Sequence, residues 1–275
     1  MNKQKIKLAA IAKNEAAYIP EWVFHHFYFG FDAIEIWING TSDNSFEILD
    51  SLKAQFGHRL TYRNTDNLFR ECVTDGKDFQ VVSYRKLFKS AKKDGFDFIM
   101  FLDMDEFWIP NDFISSIHSL VKDFADEDPS SISFQWCVDI PDANKLSFGK
   151  LFSSQNTLAK DRHVKSLLNL KHQPVLINIH NTVFHNGRYF LANKAPFPET
   201  NPKEQRNKSL VSIEYFAENN GSMTPYFVAH KVFRSQMEYV SSLARARRHT
   251  TNDKSFIKTN RPGYWRNPAT ITTTF

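Results

Sequence analysis

Two carboxylates one residue apart, Asp103 and Asp105, are the side chains in this sequence whose types and spacing best suit chemistry. They follow a largely apolar run at residues 96–102, a pattern typical of a strand buried on both faces of a sheet. Alternate residues of an extended chain point to the same side, so the two carboxylates can converge on one cation. A hard divalent ion, Mg²⁺ or Mn²⁺, would offset their mutual repulsion. The alternative is an acidic turn that only solvates the edge of a sheet.

Alternating strands and helices are expected to position this pair. The predicted strands lie at residues 5–11, 31–38, 59–63 and 96–102, and the predicted helices lie at residues 20–30, 46–56 and 79–93. This order predicts a parallel sheet with right-handed crossovers. In such sheets ligands bind at the carboxyl ends of the strands, which is where the acid pair lies.

The remaining sequence is less regular. Residues 68–77 show no periodicity, Pro110 is expected to end regular structure, and residues 139–171 are expected to form a flexible acceptor loop. Short strands are expected at residues 131–138, 175–179, 182–184 and 225–229, with helices at residues 114–124 and 235–248. The sequence therefore predicts one α/β domain over residues 1–233, followed by a basic helix and tail over residues 234–275.

The composition limits the class of protein. Hydrophobic residues make up 41% of the 275 residues and 26 are phenylalanine, which predicts a packed globular domain. Cys72 and Cys137 form neither a disulfide framework nor a metal motif, as expected in a reducing compartment. No segment is long enough to span a membrane and the polar N-terminus is unlike a signal peptide, so a cytoplasmic location is expected. A net charge of +5 without a nucleic-acid-binding motif argues against nucleic acid as a partner.

Three motifs that follow predicted strands together resemble the GT-A glycosyltransferases. They are Lys-Asn-Glu at residues 13–15, Asn-Gly-Thr-Ser-Asp-Asn-Ser at residues 39–45 and Leu-Asp-Met-Asp-Glu-Phe at residues 102–107. More narrowly, the chain is similar to a bacterial family-2-like group related to a eukaryotic galactosyltransferase family that was first described as a domain of unknown function. The resemblance covers roughly the first 110 residues, and later it rests on isolated histidines and the basic helix.

The resemblance implies a Rossmann-like GT-A fold with a mixed, mainly parallel sheet flanked by helices and a C-terminal helical extension. It also implies sugar transfer from a nucleotide diphosphate sugar, a UDP-sugar in first place, with Mn²⁺ or Mg²⁺. Many relatives have an acid where this chain has Asn39, whose amide can still pair with a base edge. Asp43 could instead cap a helix, and Tyr84 could pack in the core. The expected donor-binding residues are Asn14, Glu15, Asn39, Asp43, Gln80, Tyr84 and Asp103.

A late histidine is commonly a further metal ligand in the family that this chain resembles. His180 and His230 both follow apolar strands, as a ligand at a sheet edge should. Either one alone could equally be a hydrogen-bonded structural histidine. The expected metal ligands are therefore Asp103, Asp105 and one of these two histidines.

An inverting transferase also needs a carboxylate that deprotonates the acceptor hydroxyl, and the resembling group is thought to invert. Asp139, just beyond a predicted strand, is the leading candidate for this catalytic base, although it could simply cap a loop. Glu199 and Glu214 are further candidates. Glu106 could orient the metal ligands from behind.

The predicted pathway is the synthesis of a cell-surface polysaccharide or lipopolysaccharide, with a glycan or lipid-linked acceptor. The basic helix at residues 235–248 carries arginines that could contact an anionic membrane peripherally at its inner face. A solvated helix face explains the same charges. Two other functions also suit a strand-end acid pair, namely a metal-dependent phosphoesterase or nucleotidyltransferase and a non-catalytic sugar-binding module.

Overall fold

A computed structural model of the chain describes residues 3–142, 144–152, 157–198, 208–219, 225–244, 263–264 and 272–274. The helices within these residues are α1 Ile19–Tyr28, α2 Ser45–Phe56, α3 Asp66–Thr74, α4 Phe79–Lys93, α5 Ile117–Asp123, α6 Ile213–Glu218 and α7 Gln236–Ala244. The strands are β1 Ile6–Ala12, β2 Ala33–Ile38, β3 Leu60–Asn64, β4 Phe98–Phe101, β5 Glu106–Pro110, β6 Ser131–Asp139, β7 Thr157–Asn169, β8 Pro174–Ile177, β9 Thr182–Phe184, β10 Tyr189–Leu191, β11 Tyr226–His230 and β12 Thr272–Thr274.

The central sheet has the strand order β3-β2-β1-β4-β7-β6-β11-β5, with β10 added beside β6 and β12 beside β7. Strands β1 to β4 are parallel, and so are β6, β10 and β11. Strand β7 runs antiparallel to both β4 and β6, and β5 runs antiparallel to β11 at the sheet edge. Strands β8 and β9 form a separate hairpin. The predicted α/β class, with a mixed and mainly parallel sheet flanked by helices, is confirmed.

The core covers both faces of the sheet. On one face, Leu8 of β1 packs in a large cluster with Trp22 of α1 and Ile117 of α5. On the other face, Ala9 packs in a cluster with Tyr84 and Leu87 of α4. Because alternate residues of β1 are buried on opposite faces, the strand reads as a continuous apolar run and could be predicted from the sequence.

Three segments are more regular than the sequence predicts. Residues 66–74 form α3, a surface helix whose single buried residue is Cys72. Residues 106–110 form β5, with Pro110 as the last residue of an edge strand, a position that tolerates proline. The later part of the expected acceptor loop contains strand β7, whose apolar pattern is interrupted by the polar residues 160–163. The prediction of a flexible loop was therefore wrong for residues 157–169.

The C-terminal part is described only in pieces. Helix α7 covers part of the predicted basic helix, and Tyr239 on it packs against Phe233 and Tyr264. Arg245, Arg247 and Arg248 lie outside the described residues. Among the helices that are described, none has the length and apolar character needed to cross a bilayer. The domain boundary at residue 233 stays a prediction.

Candidate active site

The carboxyl ends of β1, β2, β4, β6 and β11 lie at one edge of the sheet, because these strands run in the same direction. Strand β7 runs the opposite way between β4 and β6, so its first half reaches the same edge. The fold therefore brings together polar residues from distant parts of the chain. They are Asn14, Asn39, Asp103, Asp105, Asp139, Lys165 and His230.

Residues 103–106 form a tight turn, here called the acidic turn, between β4 and β5. The Glu106 N–H donates to the Asp103 carbonyl at 3.0 Å, and the Asp103 N–H donates to Oε2 of Glu106 at 2.9 Å. The indole Nε1 of Trp22 donates to the carbonyls of both Asp103 and Glu106, at 3.1 and 2.9 Å. Helix α1 thus holds both ends of the turn.

The middle of the acidic turn is held by the segment after β11. The Lys231 N–H donates to the Asp105 carbonyl at 2.7 Å, and Nη2 of Arg234 donates to the Met104 carbonyl at 3.0 Å. With these bonds every carbonyl of the turn has a donor. The backbone that presents Asp103 and Asp105 is therefore fixed by protein contacts alone.

A buried ion pair lies behind the turn. The Nζ of Lys165, which is 1% exposed, lies 2.9 Å from Oε2 of Glu106 and 3.7 Å from Oδ2 of Asp103. The Nε1 of Trp136 donates to Oε1 of Glu106 at 2.9 Å. Burial raises the pKa of Glu106, and the charge of Lys165 acts against that shift. Burial also acts to lower the pKa of Lys165, but the neighbouring Asp103 and Glu106 outweigh it and raise that pKa. Lys165 therefore partly neutralises the crowded carboxylates.

His230 lies directly beside the acid pair. It pairs with Glu106 in the β11–β5 register, and its Nε2 lies 3.3 Å from Oδ2 of Asp105. Its ring stacks on Trp136 with the centroids 4.2 Å apart. Its Nδ1 is buried and has no hydrogen-bond partner in the described part of the chain. Asp105 and His230 thus lie side by side at the carboxyl edge of the sheet, and both are residue types that could donate to a cation.

His180 occupies a different position near the same tryptophan. Its ring lies 5.7 Å from that of Trp136, and its Nδ1 is 3.0 Å from the Val164 carbonyl. Burial, together with the nearby charge of Lys165, lowers the pKa of His180 to about 3. The structure gives a contact with the acid pair for His230 and a backbone contact for His180. Across the described ranges, no three His, Cys, Asp or Glu side chains already form a closed metal site.

The loops after β1 and β2 are joined by their own side chains. Asn14 has a positive φ of 54°, and its Oδ1 accepts the Ser42 N–H at 2.7 Å. Asp43 accepts the Ala16 N–H at 2.9 Å and the Ser45 hydroxyl at 2.6 Å. Asp43 is therefore more than an ordinary helix cap, because it also reaches across to the first loop.

Two further donor-site candidates lie deeper in these loops. Asn39 is buried, and its backbone N–H donates to the Ala12 carbonyl at 3.2 Å. The Glu15 carbonyl accepts the N–H groups of Tyr18 and Ile19 at the start of α1. Glu15 and Asn39 thus lie in the loops that follow β1 and β2, at the carboxyl edge of the sheet.

Gln80 and Tyr84 differ in what they can reach. The Nε2 of Gln80 lies 3.5 Å from Oδ1 of Asp103 and 3.0 Å from the Tyr84 hydroxyl. Tyr84 is fully buried and stacks on Phe101 with the ring centroids 4.1 Å apart. Tyr84 therefore packs in the core. Its expected contact with the nucleotide sugar would have to pass through Gln80, which binds its hydroxyl.

Asp139, the expected catalytic base, has other contacts. Its side chain is 6% exposed, and its two carboxylate oxygens accept the N–H groups of Phe233 and Arg234 at 3.0 and 2.8 Å. These bonds make Asp139 an anchor for the segment after β11, and its role as a base stays a prediction. Glu214 is exposed on α6, and Glu199 lies outside the described residues.

Sequence reasoning missed Trp136, Lys165 and Trp22. A signal for Lys165 exists, because a lysine within the apolar residues 164–168 is rarely buried without a partner. No local signal identifies Trp22 or Trp136, since their indole donors meet the acidic turn only once the sheet has formed. Two further histidines contact the core: His26 is fully buried, and His25 Nε2 lies 2.9 Å from the Trp108 carbonyl.

The mixed, mainly parallel α/β sheet flanked by helices agrees with the GT-A architecture expected from the sequence. The model of glycosyltransferase family 92 matches residues 9–259, and the chain belongs to that family. The match spans the acidic turn, Lys165 and His230. The expected resemblance is thus confirmed at the level of the family.

Several solved structures are similar to this chain. Mannosyltransferase PcManGT from Pyrobaculum calidifontis, in complex with GDP-Man and Mn²⁺, is 14% identical over 49% of this chain and 36% of its own, with a TM-score of 0.38. S. aureus TarS 1-349, in complex with UDP, is 11% identical over 61% of this chain and 47% of its own, with a TM-score of 0.36.

Glucosyl-3-phosphoglycerate synthase from Mycobacterium tuberculosis, in complex with Mn²⁺, UDP and phosphoglyceric acid, is 17% identical over 48% of this chain and 43% of its own, with a TM-score of 0.30. The chain spans less than half the length of each of these three proteins. No curated protein sequence matches it. Similarity at this level assigns neither a donor nor an acceptor to this chain.

Proposed function

We propose that this glycosyltransferase moves a sugar from a nucleotide diphosphate sugar to a glycan or lipid-linked acceptor with the help of Mn²⁺ or Mg²⁺. The observation that carries the proposal is the 3.3 Å approach of His230 Nε2 to Asp105 Oδ2 at the carboxyl edge of the sheet. Two donors from β11 and the acidic turn converge where the fold class binds its ligands. A UDP-sugar is the proposed donor, on the resemblance of the loops at residues 13–15 and 39–45.

The residues present fit a divalent ion. Asp103, Asp105 and His230 would hold it, and a set of carboxylate and imidazole donors suits Mn²⁺ better than Mg²⁺, which prefers oxygen alone. Side chains of Asp103 and Asp105 are 29% and 27% exposed, so both remain accessible from the cleft. When bound, such an ion stabilises the negative charge that develops on the leaving diphosphate.

The chain itself supplies the fixed geometry around that charge. Lys165 and Trp136 hold Glu106, and Glu106 holds the Asp103 N–H, so Asp103 is supported from behind. Partners of this kind orient metal-binding side chains, and their loss typically reduces affinity or activity by about 10–100-fold. Gln80 adds a polar contact to Asp103 from α4. Little reorganisation is then needed when the donor binds.

The loops after β1 and β2 are proposed to hold the nucleotide. Asn14 and Asp43 mainly fix the two loops relative to each other, since their side-chain oxygens accept N–H groups of the opposite loop. Asn39 and Glu15 are the remaining candidates for base and ribose contacts. An inverting mechanism is proposed from the resemblance, with Asp139 as a positioning residue instead of the base.

The pathway and the location stay predictions. A lipopolysaccharide or capsule precursor made at the inner face of a membrane suits a lipid-linked acceptor. Peripheral membrane contact through the basic helix stays a prediction too, because its arginines lie outside the described residues. The same applies to a cytoplasmic location.

The other candidate functions have less support. A phosphoesterase or nucleotidyltransferase with two metal ions needs more ligands than the described residues bring together at the acidic turn. A binding module without catalysis has no need for a neutralised and rigidly held acid pair.

The test is a panel of nucleotide sugars incubated with the full chain and Mn²⁺. Slow release of nucleoside diphosphate supports a glycosyltransferase, whereas nucleoside monophosphate indicates attack on the diphosphate. Asp105→Asn should abolish the release, and Asp126→Asn, at an exposed aspartate on another part of the surface, should not. Release that persists unchanged in Asp105→Asn contradicts the proposal.

A further inference from the structure

A second lysine, Lys231, is buried near the acidic turn. None of the contacts described above involves its side chain. It follows His230 directly and is 7% exposed. Its backbone N–H binds the Asp105 carbonyl, while its Nζ lies 4.8 Å from the centre of the Phe152 ring. The ammonium group is therefore held over an aromatic face one residue from the proposed metal ligand.

The ammonium of Lys231 has no counter-charge of its own. Within the part of the chain that the structure describes, no carboxylate lies within ion-pairing distance of its Nζ and no acceptor receives a hydrogen bond from it. Asp139 and Glu21 act on it only at longer range. Lys231 is 7% exposed, whereas Lys165 is 1% exposed. Burying an unpaired ammonium is unfavourable, so the site is complete only when an anion reaches it.

The backbone around Lys231 is held in an unusual shape. Arg234 has a positive φ of 45°, and both oxygens of Asp139 accept N–H groups from the segment that contains it. The Arg234 guanidinium lies 3.5 Å from the centre of the Tyr18 ring while it binds the Met104 carbonyl. Such a backbone conformation is unfavourable in a non-glycine residue and persists where other contacts enforce it. Two cations, Lys231 and Arg234, are thereby fixed next to the acidic turn.

We propose that Lys231, with Arg234 beside it, forms a phosphate-binding subsite at the edge of the acidic turn. A phosphate oxygen is an anionic acceptor that pairs with ammonium and guanidinium groups. The proposal rests on the proposed function, because a phosphate at this place belongs either to the donor diphosphate or to a phosphorylated acceptor. The shared chemistry is the phosphate group, and the experiment separates its two sources.

The experiment is calorimetric titration of inorganic pyrophosphate into the full chain, without metal and at constant ionic strength. Wild type is expected to bind it. Lys231→Met should weaken binding by about tenfold or more, the effect of losing a charge-assisted contact. Lys231→Arg should restore most of the affinity. Lys171→Met, at an exposed lysine paired with Asp128, is the matched control and should bind like wild type.

Thermal unfolding of the same variants guards against a purely structural explanation. If the ammonium is unpaired, Lys231→Met should unfold at the wild-type temperature or above it. A lower unfolding temperature, or wild-type pyrophosphate affinity in Lys231→Met, overturns the proposal. So does a wild type that binds no pyrophosphate.

Competition with UDP identifies the source of the phosphate. Pyrophosphate binding that disappears in saturating UDP assigns the subsite to the donor diphosphate, and simultaneous binding assigns it to an acceptor phosphate. Both results support the subsite. Because no donor sugar, acceptor or metal is present in the direct titration, failure of sugar transfer leaves this result standing, and failure of the titration leaves the transfer assay standing.

Discussion

Two buried lysines near the acidic turn have opposite electrostatic surroundings. Lys165, in the middle of the sheet, has Glu106 at 2.9 Å and Asp103 at 3.7 Å. Lys231, after β11, faces the Phe152 ring and has no ion pair among the described residues. The neighbouring carboxylates raise the pKa of Lys165 against the effect of burial, whereas burial lowers the pKa of Lys231.

The difference indicates two ways of using one type of side chain. Lys165 completes its charge balance within the protein, so it serves the acid pair by keeping it folded and correctly placed. Lys231 leaves its balance open, so it serves a ligand. The contacts of a charged residue thus distinguish a structural role, in which the protein supplies the counter-charge, from a ligand-binding role, in which it does not.

The largest expected effect concerns Lys165. Lys165→Met should lower the free energy of unfolding by about 3–5 kcal/mol, because it leaves Glu106 as a buried charge without its partner. Chemical denaturation measures the change, and Lys231→Met, expected to be at least as stable as wild type, is the comparison. The double variant Lys165→Met with Glu106→Gln should recover part of the loss. Equal destabilisation by the two lysine variants would contradict the proposed difference between Lys165 and Lys231.

The next largest effect concerns Asp139, which anchors the segment that carries Lys231. Asp139→Asn should raise the donor KM while kcat stays within about tenfold of wild type, since a positioning residue acts through the groups it holds. A catalytic base would behave differently, because its removal lowers kcat by about 10²–10⁴-fold. Steady-state kinetics over a range of donor concentrations, at saturating acceptor, distinguish these roles. A kcat loss of that size, with an unchanged donor KM, would restore Asp139 as the base.

The histidines next to the acid pair give a smaller effect. His230→Ala should raise the Mn²⁺ concentration for half-maximal activity by about 10–100-fold. His180→Ala should shift it much less, because the contact of His180 is with the Val164 carbonyl. A manganese titration of activity compares the two variants. A larger shift for His180→Ala would move the metal ligand away from β11.

The smallest effect is a pH dependence of stability on the Lys231 side, where His25 stacks on Phe152 at 5.8 Å. Burial lowers the pKa of His25 to about 4, below its value in the unfolded chain. The unfolded chain therefore binds the extra proton first, and the free energy of unfolding falls as the pH drops from about 6.5 towards 4. His25→Phe should remove up to about 1.4 kcal/mol per pH unit from that slope. His58→Phe, at an exposed histidine, should leave the slope unchanged.

The parts of the fold that could be predicted are those with local signals. Strands β1 and β4 are buried on both faces and read as apolar runs, and the acid pair follows β4 immediately. Strand β7 could not be predicted, because the charged residues 160–163 that approach the site interrupt its pattern. The partners of Asp103 were equally inaccessible, since Lys165 meets it only after β7 has inserted between β4 and β6. The hydrogen bonds of Asp139 could not be predicted either, because their donors are the N–H groups of residues 233 and 234, almost a hundred positions away.

The acidic turn and His230 are proposed to bind the divalent ion of this glycosyltransferase. Direct Mn²⁺ binding, measured by electron paramagnetic resonance on metal-free protein in the presence of UDP, tests this proposal without reliance on turnover. We predict one bound Mn²⁺ per wild-type chain, at least about tenfold weaker binding in Asp105→Asn and His230→Ala, and wild-type binding in Asp126→Asn. Wild-type Mn²⁺ affinity in Asp105→Asn would contradict the account.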